Sequence, residues 1–281
     1  MDSTAAIKKG WLRVVLFLIF FILLSFFGSS LAGIVLLMLG LPNADTALFY
    51  GGTVLIFLAA FLSVWIFRKA IDRDTFASLG FRWKGYTSER STGMLTGIVT
   101  ITILATVLWA MQLLQWFTAN INWIEIIQIS LILILVSFSE ELVFRGYILN
   151  NLLQSMPKIP ALLVSAILFA GFHALNPGMS LIAFLNIFIA GVLMGSNYIF
   201  TRNLWFSICF HFSWNFFQGP VLGFEISGLD LPVMLEQNLR GSTLLTGGAF
   251  GLEASWLATF VLSITTLILL FLFQRKYSIV E

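Results

Sequence analysis

Long runs of apolar residues without charges dominate this chain. Eight can be marked, near Trp11–Leu39, Ala47–Phe67, Thr92–Trp116, Ile121–Ser137, Pro160–Leu175, Met179–Phe200, Leu204–Phe217 and Trp256–Phe273. A helix that crosses a bilayer needs roughly 20 apolar residues and satisfies its backbone polar groups internally. The pattern therefore predicts an all-α fold, a polytopic membrane helix bundle with about eight transmembrane helices. Ser30 and Ala32 offer a passable signal-cleavage site, but the first run passes well beyond it and exceeds the roughly 7–15 apolar residues of a signal peptide. That run is expected to stay and span.

Composition agrees, because 59% of the 281 residues are apolar and 10% charged, where a soluble domain carries about 25% charged residues. Such a surface faces lipid. The single cysteine, Cys209, excludes an intrachain disulfide and reads as a packed apolar residue. Charge placement gives the topology. Lys8, Lys9 and Arg13 precede the first run; Arg68, Lys69, Arg73, Arg82, Lys84 and Arg90 lie between the second and third. Lys158 precedes the fifth, Arg202 falls between the sixth and seventh, and Arg275 and Lys276 follow the eighth. With alternating spans, and Arg145 counted with its nearest end, only Arg240 of the 15 Lys and Arg residues lies opposite. The positive-inside rule then makes the crowded side, and both termini, cytoplasmic, in a plasma membrane of the bacterial type.

No repeat or linker divides the chain, so residues 1–281 read as one integral membrane domain. The polar excursion from Gln218 to Ala254 contains Gly247, Gly248 and Gly251 and is expected to be an outer loop able to act as a lid. Its Glu225, Glu236 and Glu253 are read as solvated.

Ionisable residues inside the spans are costly, so each is a functional candidate by default. Three groups stand out, all within 139–217: Glu140, Glu141 and Arg145; Phe169 and His173; His211 and Asn215. They include both histidines of the chain. Glu141 and Arg145 are four apart on one helix face and can pair as a structural staple. Glu140 points about 100° away and is free for chemistry. His211 and Asn215 share a face and can converge on one atom. At 1.5 Å per residue from the cytoplasmic helix ends, Glu140 lies about 15 Å deep, His173 about 20 Å and His211 about 13 Å. Similar depth on three helices is what a single site requires. Phe169 defaults to packing, and Asn186 and Asn197 to interhelical glue.

The order EExxxR, FxxxH, HxxxN on successive helices resembles the CPBP family, the CAAX proteases and bacteriocin-processing enzymes, also called Abi, which includes the type II CAAX prenyl endopeptidases. Here the motifs read Glu140-Glu141-Leu142-Val143-Phe144-Arg145, Phe169-Ala170-Gly171-Phe172-His173 and His211-Phe212-Ser213-Trp214-Asn215. The resemblance implies peptide-bond hydrolysis within the membrane. Glu140 and His173 would activate water, His211 and Asn215 would stabilise the oxyanion, and Glu141 and Arg145 would support the site. It also implies a membrane-anchored peptide or protein as partner, a prenylated CAAX-type segment among the candidates, beside the lipid bilayer and no nucleic acid. The residues suit amide hydrolysis on their own, since a base and oxyanion donors gain strength in a dry site. No cofactor is expected. Two alternatives use the same residues: a divalent metal such as zinc at Glu140, His173 and His211, and a proton-coupled transporter. A non-enzymatic immunity or scaffold protein is the third.

Overall fold

The computed structural model describes residues 5–39 and 44–277. The chain ends to which the charge pattern assigns a cytoplasmic position, residues 1–4 and 278–281, lie outside the described residues.

Eight helical rods make up the described fold. They are α1 (Gly10–Leu39), α2 (Ala44–Ile66), α3 (Thr87–Ala110), α4 (Trp123–Glu141), α5 (Lys158–Phe172), α6 (Leu181–Thr201), α7 (Trp205–Phe216) and α8 (Trp256–Tyr277). Three of them run on as wider π-turns: α2 through Phe67–Ile71, α4 through Leu142–Leu149, and α7 through Phe217–Val221. Six rods, α1 to α4, α6 and α8, are long and apolar enough to cross a membrane. The protein is an integral membrane protein. Lipid-facing side chains confirm the helix surfaces expected of one: Phe26, Phe27 and Leu31 on α1 and Phe260, Leu267 and Phe271 on α8 are exposed. In water such apolar patches would drive association.

Each of the eight expected runs falls on a helix, but α5 and α7 are shorter than the six rods able to cross by length, and two boundaries shift most. The third run was expected to reach Trp116, but α3 stops at Ala110 and Leu114–Thr118 forms a strand, β1. Gln112 takes a positive φ of 59°, which ends the helix and turns the chain. The fourth run was expected to end at Ser137, yet the helical path continues unbroken to Leu152. Its polar residues are tolerated because their partners face the bundle interior.

The outer excursion is folded rather than a free loop. Its strand β2 (Leu235–Leu239) pairs antiparallel with β1, Leu114 opposite Leu239 and Thr118 opposite Leu235. This ladder fastens the excursion to the end of α3.

What positions the site is the packing of α6 between α5 and α8, and of α7 against α3 and α4. Gly93 and Gly97, four apart on α3, carry the second contact. A Cβ on either would press into α7, against the Phe206 carbonyl at Gly93 and against Ser213 and the Phe210 carbonyl at Gly97. Small residues at this spacing let two backbones approach where apolar surface gives no net drive in lipid. The close contact fixes α7 and leaves the His211 face directed inward. On the other flank, Gly191 of α6 lies against Ala166 of α5, where an added Cβ would come within 3.0 Å of the alanine Cβ.

Candidate active site

Glu140 and Glu141 follow each other near the end of α4, so one helical step turns their side chains about 100° apart. The two carboxylates have different surroundings. Glu141 is fully buried, and its Oε1 accepts from Arg145 Nη1 at 2.8 Å and from His211 Nδ1 at 3.0 Å. Arg145 Nη2 donates to the Gly191 carbonyl at 3.0 Å, and the guanidinium stands 4.5 Å from the centre of the Phe169 ring. The Glu141–Arg145 pair thus touches α5, α6 and α7 from its seat on α4. The expected staple is present, and it carries a contact that spacing alone did not give: Glu141 also orients His211.

His173 forms the C-terminal cap of α5, which ends at Phe172 instead of continuing to Leu175. Its Nδ1 lies 2.9 Å from the carbonyl of Phe169 in the preceding turn. The four-residue spacing of the second motif therefore has a physical meaning, since Phe169 supplies the carbonyl that fixes the His173 ring. The Phe169 ring also meets His211 edge to face at 6.1 Å.

With both Nδ1 atoms engaged, both Nε2 atoms face Glu140. Its Oε2 lies 3.8 Å from His173 Nε2 and 3.9 Å from His211 Nε2, and has no hydrogen-bond partner. Those gaps exceed a direct hydrogen bond and suit a molecule of water between the three groups. A carbonyl or a carboxylate can only accept, so each Nδ1 carries a hydrogen. The two histidines differ in what lies behind them. His173 has the neutral Phe169 carbonyl behind its ring, whereas His211 has the Glu141 carboxylate.

These groups line one end of a cavity of about 150 Å³, many times the room one water needs. Asn215, one turn along α7 from His211, lines it too and is buried. All six sequence-designated residues are therefore at or directly behind the cavity wall, with Glu141 and Arg145 behind it. Apolar side chains from α2 and α4, including Phe49, Ile132 and Val136, close another side.

A second polar wall was not expected. Asn186, Asn176, Ser227 and Glu253 also line the cavity. Glu253, read from the sequence as solvated, is only 6% exposed. It accepts from Gln218 Nε2 at 2.6 Å and from the Ser227 backbone N–H at 3.4 Å. Burial pushes its carboxyl up to about 6, opposed by the Gln218 hydrogen bond. Asn186 does act as glue, donating to the carbonyls of Glu253 and Ser255 at 2.7 and 2.8 Å. Asn197 does not bridge helices through its Oδ1, which accepts from Thr201 one turn along the same helix. Glu225, likewise read as solvated, is part-buried with its Oε2 enclosed, so a long polar stretch hides which of its carboxylates turn inward.

Glu140, His173 and His211 offer one carboxylate and two imidazoles, a donor set that zinc accepts in proteins. Among the described residues, however, no group of three or more His, Cys, Asp or Glu is placed to hold a metal ion.

No curated protein matches the chain, and no solved structure does. Residues 120–217, about a third of the chain, match the family described as type II CAAX prenyl endopeptidase Rce1-like. The matched segment runs from just before α4 to the first residue beyond α7 and contains all three motifs, so over this segment the chain is similar to the CAAX proteases that the motifs resemble.

Proposed function

We propose that this protein is an intramembrane endopeptidase that cleaves a membrane-anchored peptide by direct attack of water. The observation that carries the reading is the convergence of Glu140 Oε2 and the two Nε2 atoms on one point of the cavity wall, where a water is to be held. Glu140, the carboxylate not held by Arg145, takes the proton from that water, with His173 Nε2 beside it. His211, oriented by Glu141 behind its Nδ1, presents Nε2 to the carbonyl oxygen as it becomes an oxyanion. Asn215 shares the face and donates from its amide. The proton held by Glu140 then passes to the leaving amine, so the acid and base roles are filled by one group in turn. Arg145 keeps Glu141 aimed; neither touches the substrate.

The substrate class rests on the family match of residues 120–217 and on the setting: a peptide delivered in the membrane plane, prenylated CAAX-type segments included. The cytoplasmic termini and a bacterial-type plasma membrane belong to the same proposal, on the strength of the Lys and Arg distribution. Incubating the purified protein in detergent with prenylated and other lipid-anchored peptides, and identifying products by mass, tests the reading. Cleavage by the wild type that is absent in Glu140→Gln supports it. A folded wild type that cuts none of them speaks for a scaffold role. Elemental analysis of the active protein separates the metal alternative: one zinc per chain, lost together with activity in His173→Ala and His211→Ala, would replace the metal-free route.

A further inference from the structure

The hydrogen-bond inventory of the second polar wall is one-sided. Asn186 spends its Nδ2 on two carbonyls, while its Oδ1, on a fully buried side chain lining the cavity, has no partner. Asn176 spends its Nδ2 on the Ser227 carbonyl at 3.2 Å. Gln218, just behind, spends its Nε2 on the Glu225 carbonyl and on Glu253, and its buried Oε1 is again without a partner. Donors are consumed in holding the wall together, and acceptors are left over. The charges are one-sided as well. Glu140 and Glu253 line the cavity, and among the described residues no Lys or Arg lines it or offsets Glu253. A buried carboxylate with only neutral donors is costly, and a group that brings both positive charge and N–H donors recovers that cost.

The wall is also held in shape. Ser227 sits at a positive φ of 50° with its N–H on Glu253 and its carbonyl on Asn176. Gly228 follows at φ 84°, where an added Cβ would collide with the Pro177 carbonyl. The turn that carries Ser227 is thus clamped between Glu253 and the α5–α6 connection, and the leftover acceptors have fixed positions.

We infer that Asn186, Ser227 and Glu253 form a substrate subsite for a cationic N–H donor, a Lys or Arg side chain or a terminal ammonium near the scissile bond. This inference rests on the proposed peptidase reading for its substrate but not for its binding chemistry. Acceptors and two carboxylates repel a carboxylate, so a peptide that presents an acidic side chain to this wall is disfavoured. A carboxyl pushed up to about 6 by burial is still ionised at neutral pH and is further stabilised by a bound cation.

The test uses the full-length protein in detergent and lipid-anchored peptides that differ at single positions within three residues of the cut, carrying Lys, norleucine or Glu. In the wild type, kcat/KM ranks Lys above norleucine above Glu at one of these positions. Glu253→Gln lowers the Lys-to-norleucine ratio there by about 10- to 100-fold, the worth of one charge-assisted hydrogen bond. Glu253→Asp, which keeps the charge, retains part of the preference. Binding is read separately on the Glu140→Gln protein, as the fluorescence-titrated affinity for the Lys peptide with and without Glu253→Gln. Binding that depends on Glu253 without any cleavage by the wild type leaves the subsite standing and removes the peptidase. Cleavage with no preference for Lys over norleucine at any of the positions, or with the same ratio in Glu253→Gln, overturns the subsite and leaves the peptidase standing. The wild-type ranking decides even if Glu253→Gln fails to fold.

Discussion

Two charge clusters in this protein, each built around carboxylates and arginine, are partnered in different ways. At one end of the bundle, Asp72 accepts from Arg13 at 3.0 Å, Arg68 at 2.9 Å, and Tyr147 and Asn151 at 3.4 Å each. Arg13 also donates to Gln154 at 2.7 Å, and Arg68 to Asp74 at 2.7 Å. Both oxygens of Asp72 are used, and the cluster joins α1, the end of α2 and the end of α4. At the cavity, Glu141 takes Arg145 and His211 on its Oε1 and leaves its buried Oε2 without a partner, and Glu140 is held by neither. Its Oε2 and two histidine nitrogens face one another across gaps too wide for direct bonds. The lesson is that burial and charge do not by themselves mark a reactive site. A cluster whose carboxylate is fully partnered is a staple, and one that leaves its acceptors aimed at a shared gap is prepared for a reactant.

The comparison breaks most clearly at its two centres. Glu140→Gln removes the base and keeps the shape, so turnover of a cleaved peptide should fall by at least 10²–10³-fold with the melting temperature nearly unchanged. An equal loss of stability would make Glu140 a staple like Asp72. Asp72→Asn should do the reverse. It leaves Arg13 buried with a neutral partner, at a cost of about 3 kcal/mol read by thermal unfolding in detergent, while turnover per folded molecule stays within a few-fold of wild type. Glu141→Gln sharpens the contrast because this residue belongs to both kinds of cluster. It should lower stability by about 2–3 kcal/mol, since Arg145 then lacks its charge partner, and turnover by about 10- to 100-fold, since His211 loses the carboxylate behind it. A change in only one of these readouts would place Glu141 wholly on one side.

The smallest effect is the pH dependence of Glu253. Its carboxyl is raised from 4.5 to about 6 in the folded protein, so the folded state binds the proton more tightly than the unfolded one. The corresponding stability is fully present below about pH 4.5 and is lost as pH rises through about 6, a change of about 2 kcal/mol. Unfolding of wild type and Glu253→Gln should therefore differ in its pH slope between 4.5 and 7, the wild type losing stability across that window relative to the variant. Parallel slopes would mean that a partner compensates the buried charge.

Much of this protein could be read from its sequence because the bilayer is a severe solvent. Backbone groups must be satisfied within each segment and charges are expelled, so uncharged apolar runs gave the helices to within a few residues, apart from the end of α3 and the length of α4. The same severity singled out Glu140, Glu141, Arg145, His173, His211 and Asn215, and helix periodicity separated the two glutamates. Only the tertiary structure decided what depends on partners distant in the chain. Arg13 and Arg68, counted as topology charges, are buried around Asp72. Glu141 reaches His211 70 positions away, and Gly93 and Gly97, visible as a spaced pair, gained meaning only from the backbone of α7 against them. Glu253 shows the limit most plainly: a polar stretch has no required period, so nothing local tells an inward carboxylate from a solvated one. Its burial is set by the pairing of β1 with β2 and by Gln218 and Ser227, contacts that exist only once the whole bundle has closed.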